Sequence, residues 1–405
     1  MAPEVVAVIK RGRVFSGGRR HHELVAQLLP EGAAWVDITV PLDGVFAQYA
    51  LLSSSDPALE IIVFASGDPL FFGFANTIRR KMPEAEVAVY PSFNSLQTLA
   101  HRLLLPYHDM RVVSLTGRPW PAFDRALIER STMIGVLTDH LHTPAAIAQR
   151  MMDYGYVDYT MHVGERLGSD SGECLLTLTL EEAAQRTFAH PNCLILEACR
   201  PLAPRPFGIA DTAFALLDGR EKMITKMPIR LLTLQALELA QHSVLWDIGF
   251  CTGSVSVEAR LSFPDVRITA FEVRRECEAI IRENMRRHGA PGIDVVMGDF
   301  LDVFRAEGTT DAVCAAYGRP DAVFIGGHGG QLAAILRRVA SVMPKGGVIV
   351  MNSVTSAVVE EATGHRPSSR QLWDDACREL GLTQEPSLRI QLNDYNPIEI
   401  LKCRT

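Results

Sequence analysis

A loop with two glycines follows an apolar run in the second half of the chain. Residues 244–254 read Val-Leu-Trp-Asp-Ile-Gly-Phe-Cys-Thr-Gly-Ser, which predicts a strand, a turn and the start of a helix. Glycines at such a turn let the backbone approach a ligand closely, and the free N–H groups at the helix start can bind it. The candidate ligand contacts in this loop are Asp247, Gly249, Thr252 and Gly253.

An acidic residue ends the next predicted strand, and another follows the strand after it. Glu272 lies 23 positions after Gly249, where a carboxylate can accept hydrogen bonds from two ribose hydroxyls. Asp299 follows the third strand, where its side chain can meet an adenine ring. The loop alone does not separate nucleotide cofactors from S-adenosylmethionine. A dinucleotide site prefers G-x-G-x-x-G, whereas this loop has only Gly249-x-x-x-Gly253.

Composition limits the class of protein. The chain has 405 residues, 47% hydrophobic and 21% charged, which predicts roughly two or three folded domains. A net charge of -7 argues against broad nucleic-acid binding.

No apolar run approaches the roughly 18 residues of a membrane span, and no signal-peptide pattern is present. We therefore expect a cytoplasmic protein that binds neither nucleic acid nor membranes. Its eight cysteines form no C-x-x-C pair, which predicts reduced thiols and no metal site.

Short apolar runs alternate with helix-period stretches from Arg13 to about Glu197. This rhythm predicts βα units and a mainly parallel sheet. The predicted strands are Arg13–Phe15, Trp35–Ile38, Ile61–Ala65, Val87–Tyr90, Arg111–Leu115, Met133–Leu137 and Cys193–Leu196.

A proline-rich stretch separates the two halves of the chain. Residues 198–206 contain three prolines, which remove backbone donors and disfavour helix. We therefore predict one domain at residues 1–200, a linker and connector at 201–228, and a second domain at 229–405.

The second half begins with a predicted amphipathic helix, Ile229–Ala240, and continues as another α/β series. The chain then ends in two strands separated by the turn-like residues 393–396, which predicts an antiparallel hairpin at one sheet edge. The predicted strands of this half are Val244–Ile248, Arg267–Glu272, Asp294–Met297, Ala322–Ile325, Val348–Asn352, Ser387–Gln391 and Pro397–Lys402.

With this hairpin, the second half resembles the class I S-adenosylmethionine-dependent methyltransferases; a tight turn in another Rossmann-like domain is the alternative. Its motifs are similar to the decarboxylating C-15 methyltransferase domain of the precorrin-6Y methyltransferase family of cobalamin biosynthesis. The matching segments are Thr225-Lys226 with Arg230, Trp246–Gly249, Thr252–Glu258, Pro320–Gly327 and Asn352–Thr355. Two positions depart from that family. It usually has Gly at Cys251, where a small side chain should be tolerated, and acidic residues at Met227-Pro228.

The first half resembles the tetrapyrrole methylase family, in its C-5 methyltransferase branch. The matching segments are Val14–Glu23, Ser66–Gly73, Asn94–Gln97, Leu115–Arg118, Leu137–Asp139, His142–Pro144 and Gly164–Gly168. Members of that family open with a strand and a Gly-rich loop, whereas residues 1–10 look like the helix that follows. We therefore expect this α/β domain to lack its first βα element, through a shortened chain or through loss of part of its site.

The resemblance implies an activity for each half. Methyl groups would pass from S-adenosylmethionine to C-5 and C-15 of a corrin precursor, precorrin-6B or its cobalt form, with loss of the C-12 acetate carboxyl. The cofactor residues implied are Gly67, Asp68, Ser95 and Thr138 in the first half, and Asp247, Gly249, Thr252, Gly253, Glu272 and Asp299 in the second.

The substrate implied by this resemblance is a polyanion. We expect Lys226, Arg230 and Arg319 to contact its carboxylates, because Arg forks match carboxylates and Lys supplies a point charge. His328 lies between glycines after a predicted strand and is expected to line the catalytic cleft. We also expect a homo-oligomer. Two alternatives remain, a class I methyltransferase acting on RNA or protein, and a first half that serves only as a binding or assembly module.

Overall fold

The computed structural model describes residues 2–56, 58–169, 171–306, 310–354, 368–393 and 395–405. The helices are α1 Pro3–Arg11, α2 Arg19–Val25, α3 Asp43–Ser55, α4 Phe74–Lys81, α5 Ser95–Leu103, α6 Pro121–Ile128, α7 Pro144–Asp153, α8 Leu180–Ala184, α9 Met227–Ala236, α10 Ser254–Ser262, α11 Glu276–His288, α12 Phe300–Ala306, α13 Thr310–Tyr317, α14 Leu332–Val342 and α15 Ser369–Leu380. The strands are β1 Val14–Gly17, β2 Ala34–Asp37, β3 Ile61–Val63, β4 Arg111–Ser114, β5 Met133–Leu137, β6 Tyr159–Glu165, β7 Cys174–Leu178, β8 Asn192–Ala198, β9 Val244–Ile248, β10 Arg267–Glu272, β11 Ile293–Met297, β12 Ala322–Ile325, β13 Val348–Val354, β14 Thr383–Gln384, β15 Leu388–Ile390 and β16 Ile398–Arg404.

The chain forms two compact units. The first comprises Met1–Asp109, Val163–Leu175 and His190–Ile195, and the second comprises Met110–His162, Leu176–Ala189 and Leu196–Thr405. Segment 110–162 therefore belongs to the same unit as the whole second half of the chain.

The first unit contains a three-stranded parallel sheet in the order β2-β1-β3. Val14 of β1 and Val36 of β2 are buried in one apolar cluster with Phe46 of α3. β-Branched and aromatic residues pack well on a pleated surface. The predicted strand Val87–Tyr90 was wrong: this segment is irregular and mostly exposed. Four apolar residues favour a strand, but a strand also needs a partner for its backbone groups.

A five-stranded sheet has the order β4-β5-β8-β6-β7, with β4 and β5 parallel. Strands β6 and β7 were not among the predicted strands. Both runs include polar residues, and in β6 His162 and Glu165 are buried although they are polar. Their burial hides the alternation on which strand prediction depends.

A buried ion cluster in the second unit joins α6 and α7 to α10. The Asp124 carboxylate is 1% exposed and accepts hydrogen bonds from Arg150 Nε at 2.8 Å and Nη2 at 2.7 Å. Arg260 Nη2 lies 3.9 Å from the same carboxylate. Arg260 also donates to the backbone oxygens of Pro291 and Pro264, at 2.6 and 2.8 Å. These contacts fix the segment around α6 against the second half of the chain.

The large sheet of the second unit has the order β11-β10-β9-β12-β13-β16-β14, with β15 also paired to β16. Strands β9 to β13 are parallel, and β16 runs antiparallel to β13, β14 and β15. The predicted terminal hairpin is thereby confirmed in the pairing of β15 with β16; its turn residue Asp394 and Thr355 of the motif after β13 lie outside the described residues. The strand order reverses between β9 and β12, and ligands of open α/β sheets bind at such a point, outside the carboxyl ends of the strands.

No helix in the described part of the chain is both long and apolar enough to cross a membrane.

Candidate functional site

The carboxyl ends of β9, β10 and β12 meet through backbone hydrogen bonds. Gly249 N donates to Phe271 O at 2.8 Å, and Gly326 N donates to Ile248 O at 2.8 Å. A Cβ on Gly249 would lie 2.6 Å from the backbone nitrogen of Gly327, so only glycine allows this approach. The loop after β9 and the loop after β12 therefore form one continuous wall.

The same loop turns directly into α10 at Gly253. This residue has φ +72, and a Cβ there would lie 2.3 Å from Ile281 Cγ1. The carbonyl of the buried Thr252 accepts a hydrogen bond from Asn284 Nδ2 at 2.8 Å. The Asn284 side chain thus fixes the loop to α11. The first N–H groups of α10 are directed to the carboxyl edge of the sheet.

Asp247 is fully buried at the start of this loop. Its Oδ2 accepts a hydrogen bond from Ser256 Oγ at 2.6 Å, and its Oδ1 has no partner among the described residues. Burial raises the pKa of Asp247 to about 7, and the Ser256 hydrogen bond only partly offsets this. The carboxyl therefore titrates near neutral pH in the folded protein.

Replacing Asp247 by asparagine should stabilise the protein at high pH. The folded state binds this proton more tightly than the unfolded state does, so its contribution to stability falls as pH rises from about 4 to about 7. Asn carries no charge, so Asp247→Asn should gain up to about 4 kcal/mol above pH 8 and much less at pH 5. Thermal unfolding at both pH values measures this. An equal change at the two pH values would contradict the assigned burial.

Glu272 ends β10 with its side chain buried. Its Oε1 accepts hydrogen bonds from Val273 N, Arg274 N and Arg274 Nε at 3.0, 3.1 and 2.9 Å. Its Oε2 accepts from Cys251 N at 2.9 Å and from Arg274 Nη2 at 2.7 Å. Burial alone would raise the pKa of Glu272, but the hydrogen bonds from Arg274 and the backbone outweigh it and hold that pKa below its ordinary value. An ionised acceptor thus lies beside the glycine loop.

Asp299 and His328 extend the same edge of the sheet. Asp299 Oδ1 accepts from Leu301 N at 2.8 Å and its Oδ2 accepts from Gln331 Nε2 at 2.9 Å. His328 Nδ1 accepts from Gly330 N at 3.2 Å, and its Nε2 lies 3.3 Å from Ser369 Oγ. Burial lowers the pKa of His328, which favours a neutral ring.

Arg230 does not have the surroundings expected of a substrate contact. Its side chain is 0% exposed; it donates to Glu258 Oε2 at 3.0 Å and to Asp211 Oδ1 at 3.2 Å. It also donates to the carbonyls of Thr225 and Ile209. Because every side of the guanidinium has a protein acceptor, Arg230 holds the connector against α9 and α10.

Arg319 lies at the wrong edge of the sheet for the expected role. It precedes β12 and is exposed, whereas the glycine loop, Glu272 and His328 follow the carboxyl ends of their strands. A strand of four residues separates the two edges by roughly 13 Å. Sequence proximity to the Pro320–Gly327 motif suggested the contact, but the direction of β12 turns Arg319 away.

Lys226 is mostly buried at the start of α9. Its Nζ donates to Glu221 O at 2.9 Å, lies 4.0 Å from Asp211 Oδ2 and is 5.1 Å from the centre of the Tyr395 ring. Its ammonium is therefore held by one carbonyl, one distant carboxylate and one aromatic face.

The cofactor contacts predicted for the first half of the chain are divided between the two units. Gly67 packs against Asn94, with a Cβ position 3.2 Å from Asn94 Cα, so the turn at Gly67 meets the start of α5, where Ser95 is the first residue. Asp68 Oδ1 accepts a hydrogen bond from Leu70 N at 2.9 Å within that turn. Thr138 belongs to the second unit, where its carbonyl accepts from Thr116 Oγ1 at 3.0 Å.

Four contacts of the second unit were missed by sequence reasoning. Arg274 binds the Glu272 carboxylate, Ser256 binds Asp247, Asn284 holds the loop and Gln331 binds Asp299. Ser256 lies within the matched motif and could have been suspected. Arg274 is only two residues from Glu272, but the sequence does not show the direction of its side chain. Asn284 and Gln331 lie on elements that are distant in the chain from their partners.

Cys251 has a left-handed backbone conformation, with φ +53. This conformation strains a residue with a Cβ and is free for glycine. Cys251→Gly should leave S-adenosylhomocysteine affinity within about threefold of wild type, since the loop uses the backbone N–H of this residue. Calorimetric titration measures the affinity. A folded variant with strongly reduced affinity would show that the thiol itself contributes to binding.

Comparisons with known proteins identify the family of the chain. A family model described as Tetrapyrrole (Corrin/Porphyrin) Methylases matches residues 1–184, and one described as Precorrin methyltransferase domain matches residues 217–366. The precorrin-6Y C(5,15)-methyltransferase (decarboxylating) of Sinorhizobium sp is 30% identical over 358 residues, covering 88% of this chain and 82% of that protein.

Other relatives match about half of the chain. The cobalt-precorrin-6B C(15)-methyltransferase (decarboxylating) of Salmonella typhi is 34% identical over 190 residues, covering 46% of this chain and 92% of that protein. A crystal structure of precorrin-6y C5,15-methyltransferase from Geobacter metallireducens GS-15 is 29% identical, covers 49% of this chain and 96% of that chain, and has a TM-score of 0.38. The resemblance inferred from the motifs is confirmed, and the chain belongs to the precorrin-6Y C(5,15)-methyltransferase (decarboxylating) family.

Proposed function

We propose that this protein transfers two methyl groups from S-adenosylmethionine to C-5 and C-15 of a corrin precursor, precorrin-6B or its cobalt form, and releases the C-12 acetate carboxyl as carbon dioxide. The observation that carries the proposal is the 30% identity to the Sinorhizobium enzyme over 88% of this chain; family models also match residues 1–184 and 217–366. We assign the C-5 reaction to residues 1–200 and the C-15 reaction with decarboxylation to residues 229–405, with 201–228 as the connector.

The family cofactor is S-adenosylmethionine, and the residues at the carboxyl edge of the large sheet fit it. The buried Glu272 carboxylate suits two ribose hydroxyls, and the glycine loop presents backbone N–H groups rather than side chains. When bound, the cofactor supplies a methyl group on a positively charged sulfur. We propose Asp247, Gly249, Thr252, Gly253, Glu272 and Asp299 as its contacts in the second half, and Gly67, Asp68, Ser95 and Thr138 in the first.

The protein's main contribution to methyl transfer is positioning. A ring carbon of an enamine-like macrocycle is already electron-rich, so in-line placement against the donor supplies much of the rate. His328 lies beside the proposed cofactor contacts, and its pKa is lowered by burial, so it would line the cleft as a neutral ring. Lys226 would supply a positive charge towards a substrate carboxylate. Arg230 and Arg319 are not part of this assignment, because Arg230 is enclosed by protein acceptors and Arg319 precedes β12 at the opposite edge of the sheet.

We further propose a cytoplasmic homo-oligomer that acts on this small molecule and not on nucleic acid. The net charge of -7 supports the second part, because sequence-independent nucleic-acid binding needs a large basic surface. Sedimentation analysis tests the assembly, and titration with labelled RNA tests the partner class.

Isotope labelling tests the activity. The full chain is incubated with the corrin precursor and S-adenosylmethionine labelled in its methyl group, and the product is analysed by mass spectrometry. The proposal predicts two labelled methyl groups and loss of one carbon dioxide. At limiting S-adenosylmethionine, the Glu272→Ala variant should show a reduced yield of one methyl transfer and of the decarboxylation together, because both are assigned to the second half. A product with no labelled methyl group would refute the proposed activity.

A further inference from the structure

The Glu272 carboxylate already has as many hydrogen bonds as it can accept. Three come from backbone groups, Val273 N, Arg274 N and Cys251 N, and two come from the Arg274 guanidinium. A carboxylate offers about four lone-pair positions in total. Two ribose hydroxyls therefore cannot be added unless existing donors leave.

The three backbone donors are part of the chain path around the loop and cannot leave without unfolding it. The guanidinium is different, because the Arg274 side chain is 36% exposed while that of Glu272 is 2% exposed. An arginine at the protein surface can rotate into solvent, where water replaces its hydrogen bonds. Arg274 is thus the only one of these donors that is free to move.

We propose that the Arg274 guanidinium fills the positions on Glu272 that the ribose hydroxyls of the cofactor need, so that it must swing away when the cofactor binds. Arg274 is then a positioning residue that sets cofactor affinity through Glu272. The inference rests on the proposed function, since it takes the ribose of S-adenosylmethionine as the competitor. It predicts that the wild-type protein binds its cofactor less tightly than a protein in which Glu272 is not paired with Arg274.

The test is calorimetric titration of the full chain with S-adenosylhomocysteine. Arg274→Ala should bind about 3- to 10-fold more tightly than wild type, because two partly exposed charged hydrogen bonds no longer have to be broken. Arg274→Lys, which cannot form the two-pronged contact, should lie between the two. The matched control is Arg275→Ala. Arg275 is exposed and follows Arg274 directly, so this variant removes the same charge at the next position. It should bind S-adenosylhomocysteine as wild type does.

A pH series separates this role from a general structural one. Arg274 holds the pKa of Glu272 down against burial, so in Arg274→Ala that pKa should rise. A protonated carboxyl accepts ribose hydroxyls poorly, so as the pH is lowered, binding by the variant should begin to weaken at a higher pH than binding by the wild type does. Asp247, Cys251 and Cys277 also lie near this carboxylate. Burial raises the pKa of both thiols and Arg274 opposes that rise, so removal of Arg274 raises them further and both thiols stay protonated throughout an acidic series.

The outcomes distinguish this inference from the proposed function. If the wild-type chain does not bind S-adenosylhomocysteine at all, the proposed function itself is refuted. If the wild type binds and both Arg274→Ala and Arg274→Lys bind equally or more weakly, the displacement of Arg274 is refuted and the proposed function stands. Tighter binding by both variants, with Arg275→Ala unchanged, supports the inference.

Discussion

Replacing Glu272 by alanine should lower the affinity of the full chain for S-adenosylmethionine about 10- to 100-fold. Each hydrogen bond to a charged acceptor contributes roughly 1.5–3 kcal/mol, and two ribose hydroxyls would be lost. Part of that loss is offset, because the variant no longer has to separate Arg274 from the carboxylate. Calorimetric titration at neutral pH measures the difference.

The control for this experiment is Glu276→Ala. Glu276 is an exposed acid in the first turn of α11, four positions after Glu272, and its removal changes the net charge equally. It should alter the affinity by less than about twofold, as an exposed charge has little effect on a neutral ribose. Unchanged affinity in Glu272→Ala would mean that the cofactor does not use this carboxylate and that the assigned site is misplaced.

Replacing Asp124 by alanine should destabilise the second unit by about 3–5 kcal/mol, because removing one partner of a buried ion pair leaves the other charge without compensation. Asp124 is 1% exposed, and its partners Arg150 and Arg260 are both largely buried. The guanidinium of Arg260 would keep its backbone acceptors and lose its nearest negative charge. The urea midpoint of unfolding measures the effect.

Asp265→Ala provides the matched comparison. Asp265 accepts two hydrogen bonds of 2.7 Å from Arg125 Nη1, so it forms an equally close pair. Its side chain is 69% exposed, and loss of a surface pair changes stability by less than about 1 kcal/mol. Similar urea midpoints for Asp124→Ala and Asp265→Ala would show that burial of the first pair adds nothing.

The sequence by itself determined the parallel core of the second half. Strands β9, β10 and β12 have the predicted bounds, since each is a short apolar run between turn residues. The glycine loop and Glu272 were correctly predicted to lie at strand ends for the same reason. The end of a buried strand can be located from the residues beside it alone. The motif order of both halves also identified the family before any contact was known.

Only the tertiary structure decided which side chains meet. Arg230 and Arg319 belong to or adjoin matched motifs, and Arg274 lies two residues after Glu272. No local pattern shows which of these arginines contacts a substrate and which pairs with a protein group. Arg230 is surrounded by acceptors from the connector and α10, the direction of β12 turns Arg319 away, and Arg274 binds the carboxylate that the cofactor is proposed to use. The periodicity of a strand can be detected from neighbouring residues. The environments of the Arg230 and Arg319 charges depend instead on elements that are distant in the chain. The sequence therefore specified where a cofactor site could form, and long-range packing decided which charges belong to it.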